Sequence, residues 1–303
     1  MRKKLILAML LMGLLTACNF PFMKADEPKN IFDQPAQTLT ALFASYPTQT
    51  AGPAAQVTQA PTSPAASTST SQLTSTPQPT ATAADLGRSA QHVTAKYLSK
   101  KPVLDGDWGD WKQNTIAYPA YYVVYGLKDW KDDSDLEASF ILGWDESFLY
   151  VGIKVKDDQY VQNSTGEMIF KGDSVELLID SDLQGDFSTA SLNADDFQLG
   201  FSPGKGSTNG VRDAYLWYPS DRKGSISDQV DVVSSSTAGI YRMEIRIPWS
   251  LLRVTPHTGM RLGFVFSVSD DDDPSNNIQQ SMVSNIAGRV FTNPTTWGEL
   301  VLD

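Results

Sequence analysis

The feature that most constrains the fold is a two-residue alternation of apolar and polar side chains, which recurs along the last two hundred residues. Such an alternation places every second side chain on the same face of an extended strand. It appears in segments separated by Asp, Gly, Ser or Pro, at residues 136–144, 149–155, 175–179, 197–201, 241–247, 262–268 and 300–302. No segment keeps the apolar spacing of three and four that a long amphipathic helix needs. We therefore predict an all-β fold, closed as a two-sheet antiparallel β-sandwich.

Local signals refine this prediction at three places. Asp145-Glu146-Ser147 separates two alternating segments and predicts a hairpin turn. Pro248 to Leu252 predicts one helical turn, because proline is tolerated at the first helical position. The stretch from Tyr215 to Pro219 is expected to be a loop.

Composition divides the chain unevenly. Residues 34–84 contain no charged side chain, and Pro47 to Ala84 consists almost wholly of Ser, Thr, Pro, Ala and Gln. A segment with so few apolar side chains cannot compensate the entropy lost on ordering. We expect a disordered tether over residues 18–90 and one domain over residues 91–303.

The N-terminus has the pattern of a secretory signal. Arg2, Lys3 and Lys4 precede the apolar run Leu5 to Leu15, which is too short to span a bilayer as a mature anchor. Leu15-Thr16-Ala17-Cys18 resembles the lipobox of bacterial lipoproteins, and Cys18 is the only cysteine in the chain. We predict a signal peptide over residues 1–17, a lipid on Cys18, attachment to the cell membrane with the domain on the extracytoplasmic side, and no disulfide.

The net charge of the chain limits the classes of partner that it is expected to bind. The net charge is −11, and residues 1–33 hold five basic and three acidic side chains, which leaves 19 basic against 32 acidic residues afterwards. This balance argues against nucleic acid as a partner. It suits a neutral ligand or bound cations, although solubility alone also explains it.

Catalytic motifs are scarce. The histidines are His92 and His257, and the sequence has no Gly-x-Ser-x-Gly elbow and no glycine-rich phosphate loop. Composition leaves a pair of catalytic carboxylates open. We nevertheless expect no enzymatic activity.

Five segments, taken in order, resemble the family 9 carbohydrate-binding modules and the related DOMON-like β-sandwich domains. The resemblance covers about residues 95–303 and implies the same sandwich. The segments are Pro102 to Gly106 followed by Trp108 and Trp111, Trp144 to Glu146 leading to Leu149-Tyr150-Val151, Gly172 to Asp180, Ile247-Pro248-Trp249, and Pro294 to Leu300.

The resemblance implies a carbohydrate site. In family members that bind sugar, two tryptophans from different loops clamp the ring, and the matching positions here are Phe170 and Phe291. Phenylalanine offers a smaller stacking surface and no indole N–H. Packing in the core is the alternative interpretation of both side chains.

Polar partners for sugar hydroxyls follow from the same resemblance. Glu176 matches an acidic residue of the family and, by alternation, faces away from Val175 and Leu177. Asp196 and Gln198 match polar positions on the next strand. Trp217 and Tyr218 form an alternative aromatic surface.

Calcium is the expected cofactor, because relatives carry structural calcium ions and calcium prefers oxygen ligands. Asp157 matches a family ligand, and further candidates are Asp105, Asp107, Asp270 and Asp272. Turns rich in aspartate are also common without metal.

Two alternatives to sugar binding stay open. Some DOMON-like domains bind haem b, for which the candidate ligands are Met168, Met243, Met260, Met282 and His257. The domain could also be an envelope adhesion or assembly module without a sugar site. The favoured prediction is a lipid-anchored, non-catalytic protein that binds polysaccharide or oligosaccharide at the cell envelope.

Overall fold

The computed structural model describes residues 88, 92–111 and 115–303. The expected signal peptide and most of the expected tether lie outside the described residues. Within them the chain forms fourteen strands: β1 (His92–Tyr97), β2 (Tyr118–Ala120), β3 (Tyr122–Tyr125), β4 (Leu136–Trp144), β5 (Phe148–Asp157), β6 (Ser174–Asp180), β7 (Asp196–Ser202), β8 (Asp213–Tyr218), β9 (Gly224–Ser225), β10 (Asp231–Thr237), β11 (Ile240–Pro248), β12 (Arg261–Asp270), β13 (Ser281–Ser284) and β14 (Gly298–Leu302).

The strands form two hydrogen-bonded layers. Sheet 1 has the order β1-β14-β12-β6-β7-β8-β9, with β13 beside the second half of β12 and β3 beyond β13. Sheet 2 has the order β10-β11-β5-β4-β1, with β2 also beside β4. The all-β sandwich predicted from the alternation is confirmed.

Strand β1 joins the two sheets and departs from the antiparallel prediction. Its residues 92–95 pair in parallel with β14, and Lys96 and Tyr97 pair in parallel with β4. The two sheets therefore form one curled surface that is continuous through β1.

The main core lies between the sheets. It contains the alternating apolar residues of the long strands, among them Phe140, Phe264 and Phe266. The rings of Phe140 and Phe266 stack with centroids 4.4 Å apart, and Phe264 lies 5.9 Å from Phe140. This packing across the layers fixes which face of each strand points outward.

A smaller cluster covers the outer face of sheet 2. Trp111 packs edge-on against Tyr150 at 6.4 Å and is buried beside Ile141. The tryptophans of the first family-like segment thus hold the chain before β2 onto the sheet, which is a structural role.

Helical structure is short. Helix α1 (Trp249–Leu252) begins after Pro248, as predicted, and 3-10 turns occupy Trp108–Asp110, Gly166–Lys171, Ser220–Arg222 and Pro294–Thr296. None of the helices in the described ranges has the length and apolarity needed to cross a bilayer.

Two local predictions can be compared directly with the structure. The hairpin is confirmed, because β4 and β5 are antiparallel around Asp145 to Ser147. The loop expected from Tyr215 to Pro219 is wrong, since β8 runs through Tyr218 and pairs with β7.

Candidate functional site

The outer face of sheet 1 carries the side chains that alternate with the main core. On β6, Val175, Leu177 and Ile179 point into the core, so Glu176 and Leu178 point outward. This confirms the orientation predicted for Glu176. Neighbouring strands add Gln198 and Gly200 from β7, and Val265 and Ser267 from β12, in the same transverse rows.

Two irregular segments lie over this face. The 3-10 turn Gly166–Lys171 contacts β6, β7 and β8 and brings Phe170 to one side. The chain between β13 and β14 brings Phe291 to the other side, where it packs with Trp297 against Leu178 and Val265.

A polar group occupies the sheet between these two sides. The Glu176 carboxylate accepts a 2.8 Å hydrogen bond from Nε2 of Gln198 and lies 3.1 Å from Nη2 of Arg289. All three side chains are at least nine-tenths buried. Carboxylate, amide and guanidinium are the groups that can recognise hydroxyls.

Several atoms of this group have no hydrogen-bond partner. They are Oε1 of Gln198, Nε of Arg289 and Nδ2 of Asn285, and Oε1 of Glu176 has only its ion pair with Arg289. Asn285 is held beside the group because its amide oxygen accepts a hydrogen bond from the backbone N–H of Phe266. Unpartnered buried polar atoms are costly, so this group keeps both donors and acceptors that could form a further hydrogen bond.

The aromatic side near Phe170 is built on a glycine. A Cβ atom at Gly200 would lie 2.2 Å from Cη2 of Trp217, so only glycine lets the indole lie against β7. Trp217 donates from Nε1 to the carbonyl of Glu167 and meets the Phe170 ring edge-on at 6.2 Å. Trp217 is 2% exposed and Phe170 is 6% exposed, so the two rings pack together as a buried pair and Trp217 does not form a separate open surface.

The opposite aromatic side rests on a buried tryptophan. Trp297 is fully buried and donates from Nε1 to the carbonyl of Val290. Phe291, next to Val290, is half-buried in the same cluster. The tryptophan of the last family-like segment thus positions the loop that presents Phe291.

The structure brings together most of the residues predicted for the sugar site. Phe170, Glu176, Gln198, Trp217 and Phe291 share the outer face of sheet 1. Tyr218 is half-buried at the end of β8, beside Gln198.

Asp196 does not join this group. It pairs across the strands with Asp180, at the far end of β6, and accepts a hydrogen bond from the backbone N–H of Asn193.

Sequence reasoning missed Arg289 and Asn285. Both lie in an irregular loop, where alternation gives no orientation. The available signal was charge, because Arg289 is the only basic residue between residues 262 and 303.

A separate group of carboxylates gathers the candidate calcium ligands at the ends of β5 and β12. Oxygen atoms of Asp157, Asp158 and Asp272, and likewise of Asp135, Asp270 and Asp272, lie within 4.8 Å of one another. The ammonium of Lys131 contacts Asp135 at 2.9 Å and Asp272 at 3.1 Å.

The electrostatics of this group are unfavourable for ionised carboxylates. Burial, together with repulsion from neighbouring carboxylates, raises the pKa of Asp157 to about 6 and that of Asp270 to about 8. Oδ2 of Asp157, Oδ1 of Asp270 and Oδ1 of Asp272 accept no hydrogen bond. These oxygens fit the donor set that calcium prefers.

Asp105 and Asp107 lie elsewhere, on the segment that covers sheet 2. The backbone N–H of Asp105 donates to Glu244, and the carboxylate of Asp105 accepts from the N–H of Asp107. Neither joins a described group of three potential metal ligands.

The candidate haem ligands occupy different environments. Met243 is buried in the main core, and Met282 lies on the outer face of sheet 1 beside Arg289. His257 is exposed in the loop before β12, and Met260 packs at the edge of the core. Met168 lies in the 3-10 turn over sheet 1.

Solved structures share this architecture. A family 9 carbohydrate-binding module from Caldicellulosiruptor kristjanssonii in complex with cellotriose matches with a TM-score of 0.53 and 23% identity, over 70% of this chain and 94% of the module. A module of the same family and organism in complex with glucose matches with a TM-score of 0.52 and 23% identity, over 70% and 96%. No curated protein matches the chain significantly.

The model of the family described as carbohydrate family 9 binding domain-like matches residues 104–303, about two-thirds of the sequence. The matched range contains both sheets except β1, the group formed by Glu176, Gln198 and Arg289, and both phenylalanines. The chain therefore belongs to the family 9 carbohydrate-binding domains.

Proposed function

We propose that the protein is a non-catalytic carbohydrate-binding protein that captures oligosaccharide on the outer face of sheet 1. The observation that carries this proposal is the set of unpartnered buried donors and acceptors on Gln198, Arg289 and Asn285, between Phe170 and Phe291. A pyranose has apolar C–H faces that suit aromatic rings and hydroxyls that both donate and accept hydrogen bonds.

Glu176 acts in this proposal as a fixed acceptor. Its ion pair with Arg289 and its hydrogen bond from Gln198 hold the carboxylate in place. A preorganised acceptor loses little entropy on binding, which favours recognition. A carboxylate engaged in this way suits hydroxyl binding better than proton transfer to a glycosidic oxygen.

Gluco-oligosaccharides are the ligand class to test first. The two similar modules are described in complex with cellotriose and with glucose. Smaller phenylalanine surfaces in place of the family's tryptophans lead us to expect weaker binding to this chain.

The site of action in the proposal is the cell envelope. The sequence pattern at Leu15 to Cys18 supports a lipid anchor, and the uncharged tether supports a domain held away from the membrane on its extracytoplasmic side.

Calcium is the proposed cofactor, held by Asp157, Asp270 and Asp272 with Asp135 and Asp158. The unpartnered buried oxygens of the first three support it. A divalent cation there would offset the repulsion among these carboxylates and tie the ends of β5 and β12 together.

The decisive experiment is calorimetric titration of the purified protein with cellotriose and glucose. We expect saturable binding that Phe291→Ala weakens at least tenfold, about 1.4 kcal/mol, because a stacking surface is lost. Glu176→Gln keeps the shape but removes the charge paired with Arg289, and we expect a similar loss.

The matched control is Phe148→Ala, which removes an aromatic side chain from the outer face of sheet 2. It should leave the affinity unchanged. Absence of heat with any gluco-oligosaccharide would reject this ligand class, and an equal loss in all three variants would reject the site.

A further inference from the structure

Two exposed tyrosines lie side by side at the corner where the chain passes from sheet 2 to sheet 1. Tyr121 is 49% exposed, and Tyr122, the first residue of β3, is 38% exposed. Their ring centroids are 4.4 Å apart, and the hydroxyl of Tyr121 donates a 3.1 Å hydrogen bond to that of Tyr122. The two rings therefore form one aromatic surface, which we call the tyrosine pair.

The segment that carries the tyrosine pair has no charge. Residues 115–127 contain no acidic or basic side chain, although the net charge of the chain is −11. Within the described residues, β13 is the only strand that pairs with β3, so no strand covers the other edge of β3. A neutral aromatic surface at an open edge suits a long neutral ligand.

The register of β3 turns Tyr122 toward the outer face of sheet 1. Val123, the next residue, packs against the main core. Tyr122 lies opposite Ser284, whose hydroxyl is 3.1 Å from that of Ser267 on the outer face. By alternation Tyr122 therefore shares the outer face with Glu176.

A β-bulge turns a further tyrosine toward this face. The pairing of β3 with β13 shifts between Met282 and Val283, so that Tyr125 lies opposite Met282. Residues directly opposite each other share a face of the sheet, and Met282 is on the outer face. Bulges commonly re-aim a side chain in this way. The half-buried Tyr125 therefore lies on the same face as Tyr122.

Contacts connect this end of the face with the proposed sugar site. Nη2 of Arg289 lies 3.1 Å from the Glu176 carboxylate and also donates to the sulfur of Met282. Glu176 belongs to β6 and Met282 to β13, so the guanidinium reaches across β12. Since Met282 lies opposite Tyr125, the contacts run without interruption from the polar group to β3.

The spacing of the strands sets the length of ligand that reaches both places. Glu176 lies opposite Ser267, and Ser267 lies opposite Ser284. Ser284 in turn lies opposite Tyr122, so all four residues share one transverse row. The row crosses from β6 through β12 and β13 to β3, which is about 14 Å at the usual strand spacing. A single glucose at Glu176 is too short to reach Tyr122, whereas a longer oligosaccharide that runs across the strands reaches it.

We propose that the tyrosine pair is a second contact surface for a glucan chain whose other end lies at Glu176. The apolar faces of the distal sugars stack on the rings of Tyr121 and Tyr122. The Tyr122 hydroxyl accepts the hydrogen bond from Tyr121 and keeps its own proton to donate to a sugar. This inference rests on the proposed sugar site and adds to it a preference for long chains over short ones.

The test is calorimetric titration of the purified protein with glucose, cellobiose and cellohexaose. We expect cellohexaose to bind roughly three- to tenfold more tightly than cellobiose, because only the longer chain reaches the tyrosine pair. The double variant Tyr121→Ala, Tyr122→Ala should lose this gain and keep its affinity for glucose and cellobiose. A gain that comes only from the greater number of binding frames on a longer chain would survive in the double variant.

The matched control is Tyr97→Ala. Tyr97 is 45% exposed, and its hydroxyl donates to Glu146 in the turn between β4 and β5 of sheet 2. This variant also removes an exposed tyrosine, but not from the outer face of sheet 1, and it should keep the full preference for cellohexaose. The conservative variant Tyr121→Phe, Tyr122→Phe keeps both rings and should keep most of the preference.

The single variant Tyr121→Ala covers the case in which the double variant does not fold. Tyr121 precedes β3 and is the more exposed of the two, and we expect its loss to lower the affinity for cellohexaose roughly twofold or more.

The outcomes separate this proposal from the proposed function. Equal affinities for cellobiose and cellohexaose, or a gain that survives in the double variant, would overturn the role of the tyrosine pair and leave the sugar site standing. Absence of heat with all three sugars would overturn both. A dimer in sedimentation that the double variant abolishes, with no change in cellohexaose affinity, would assign the pair to contact with a second copy of the chain instead.

Discussion

Single residues decide the shape of the proposed sugar site through the space they leave free. Gly200 is the clearest case, since the absence of its side chain lets Trp217 approach β7 and support Phe170. The alternation of β7 alone does not reveal this, because a glycine in a strand carries no apolar or polar preference.

We expect Gly200→Ala to displace Trp217 and Phe170, because the new Cβ atom would meet the indole at 2.2 Å. Overpacking of this kind costs about 1–3 kcal/mol, and sugar affinity should fall with it. Urea denaturation and sugar titration of the same protein measure both effects.

Gly288→Ala is the matched control, since a Cβ atom there meets nothing within 4 Å. If both variants lose affinity equally, Trp217 does not support the site.

Among the elements, the segment before β2 depends on a buried carboxylate of β11. Glu244 accepts 2.7 Å hydrogen bonds from Nε1 of Trp111 and the N–H of Gly106, and a 2.8 Å bond from the N–H of Asp105. Burial raises the pKa of Glu244 in spite of these bonds. This one side chain therefore connects the first family-like segment to sheet 2.

We expect Glu244→Gln to destabilise the fold by roughly 1–3 kcal/mol, because an amide NH2 would face N–H donors and leave one of them unbonded. The midpoint of urea denaturation measures the loss. Glu137→Gln, at an exposed position of β4, should change stability little. Equal effects of the two substitutions would contradict the role of Glu244.

Strands in which apolar and polar residues alternate over a long stretch could be predicted from the sequence. The other strands show why this pattern does not reveal every strand. β10 contains Ser234, Ser235 and Ser236, so its inward face is not marked by large apolar residues. β2, β3, β9 and β13 have four residues or fewer, which is too short for a period to emerge. β1 has a readable alternation at Val93 and Ala95, but its parallel pairing with two strands depends on tertiary closure.

The residues of the candidate site also divide into those that could be predicted from the sequence and those that could not. Glu176 and Gln198 could be placed from strand alternation, and Phe170 and Phe291 from the family resemblance. Asp196 was grouped with Gln198 because both match polar positions of the family, but two strand positions separate them by about 7 Å and place Asp196 opposite Asp180. Arg289 comes from a loop that has no periodicity.

At the scale of the whole molecule, the proposed lipid anchor predicts that removal of Cys18 changes how the protein partitions between water and detergent. We expect Cys18→Ser to abolish lipid modification, so that the protein leaves the detergent phase on phase separation and its mass lacks the acyl groups. The substitution should leave the calorimetric response to sugar unchanged. Retention in the detergent phase would show that Cys18 is not the anchor.

Strand β1 gives the domain a particular response to mechanical load. The chain enters the described domain at β1, which lies parallel to both β14 and β4. A pull on residue 92 along the strand axis acts on the hydrogen bonds to both neighbours at once, so they share the force in shear and are not opened one after another. A domain gripped through its N-terminus while it holds a long glycan would thus bear tension on the strand that joins its two sheets.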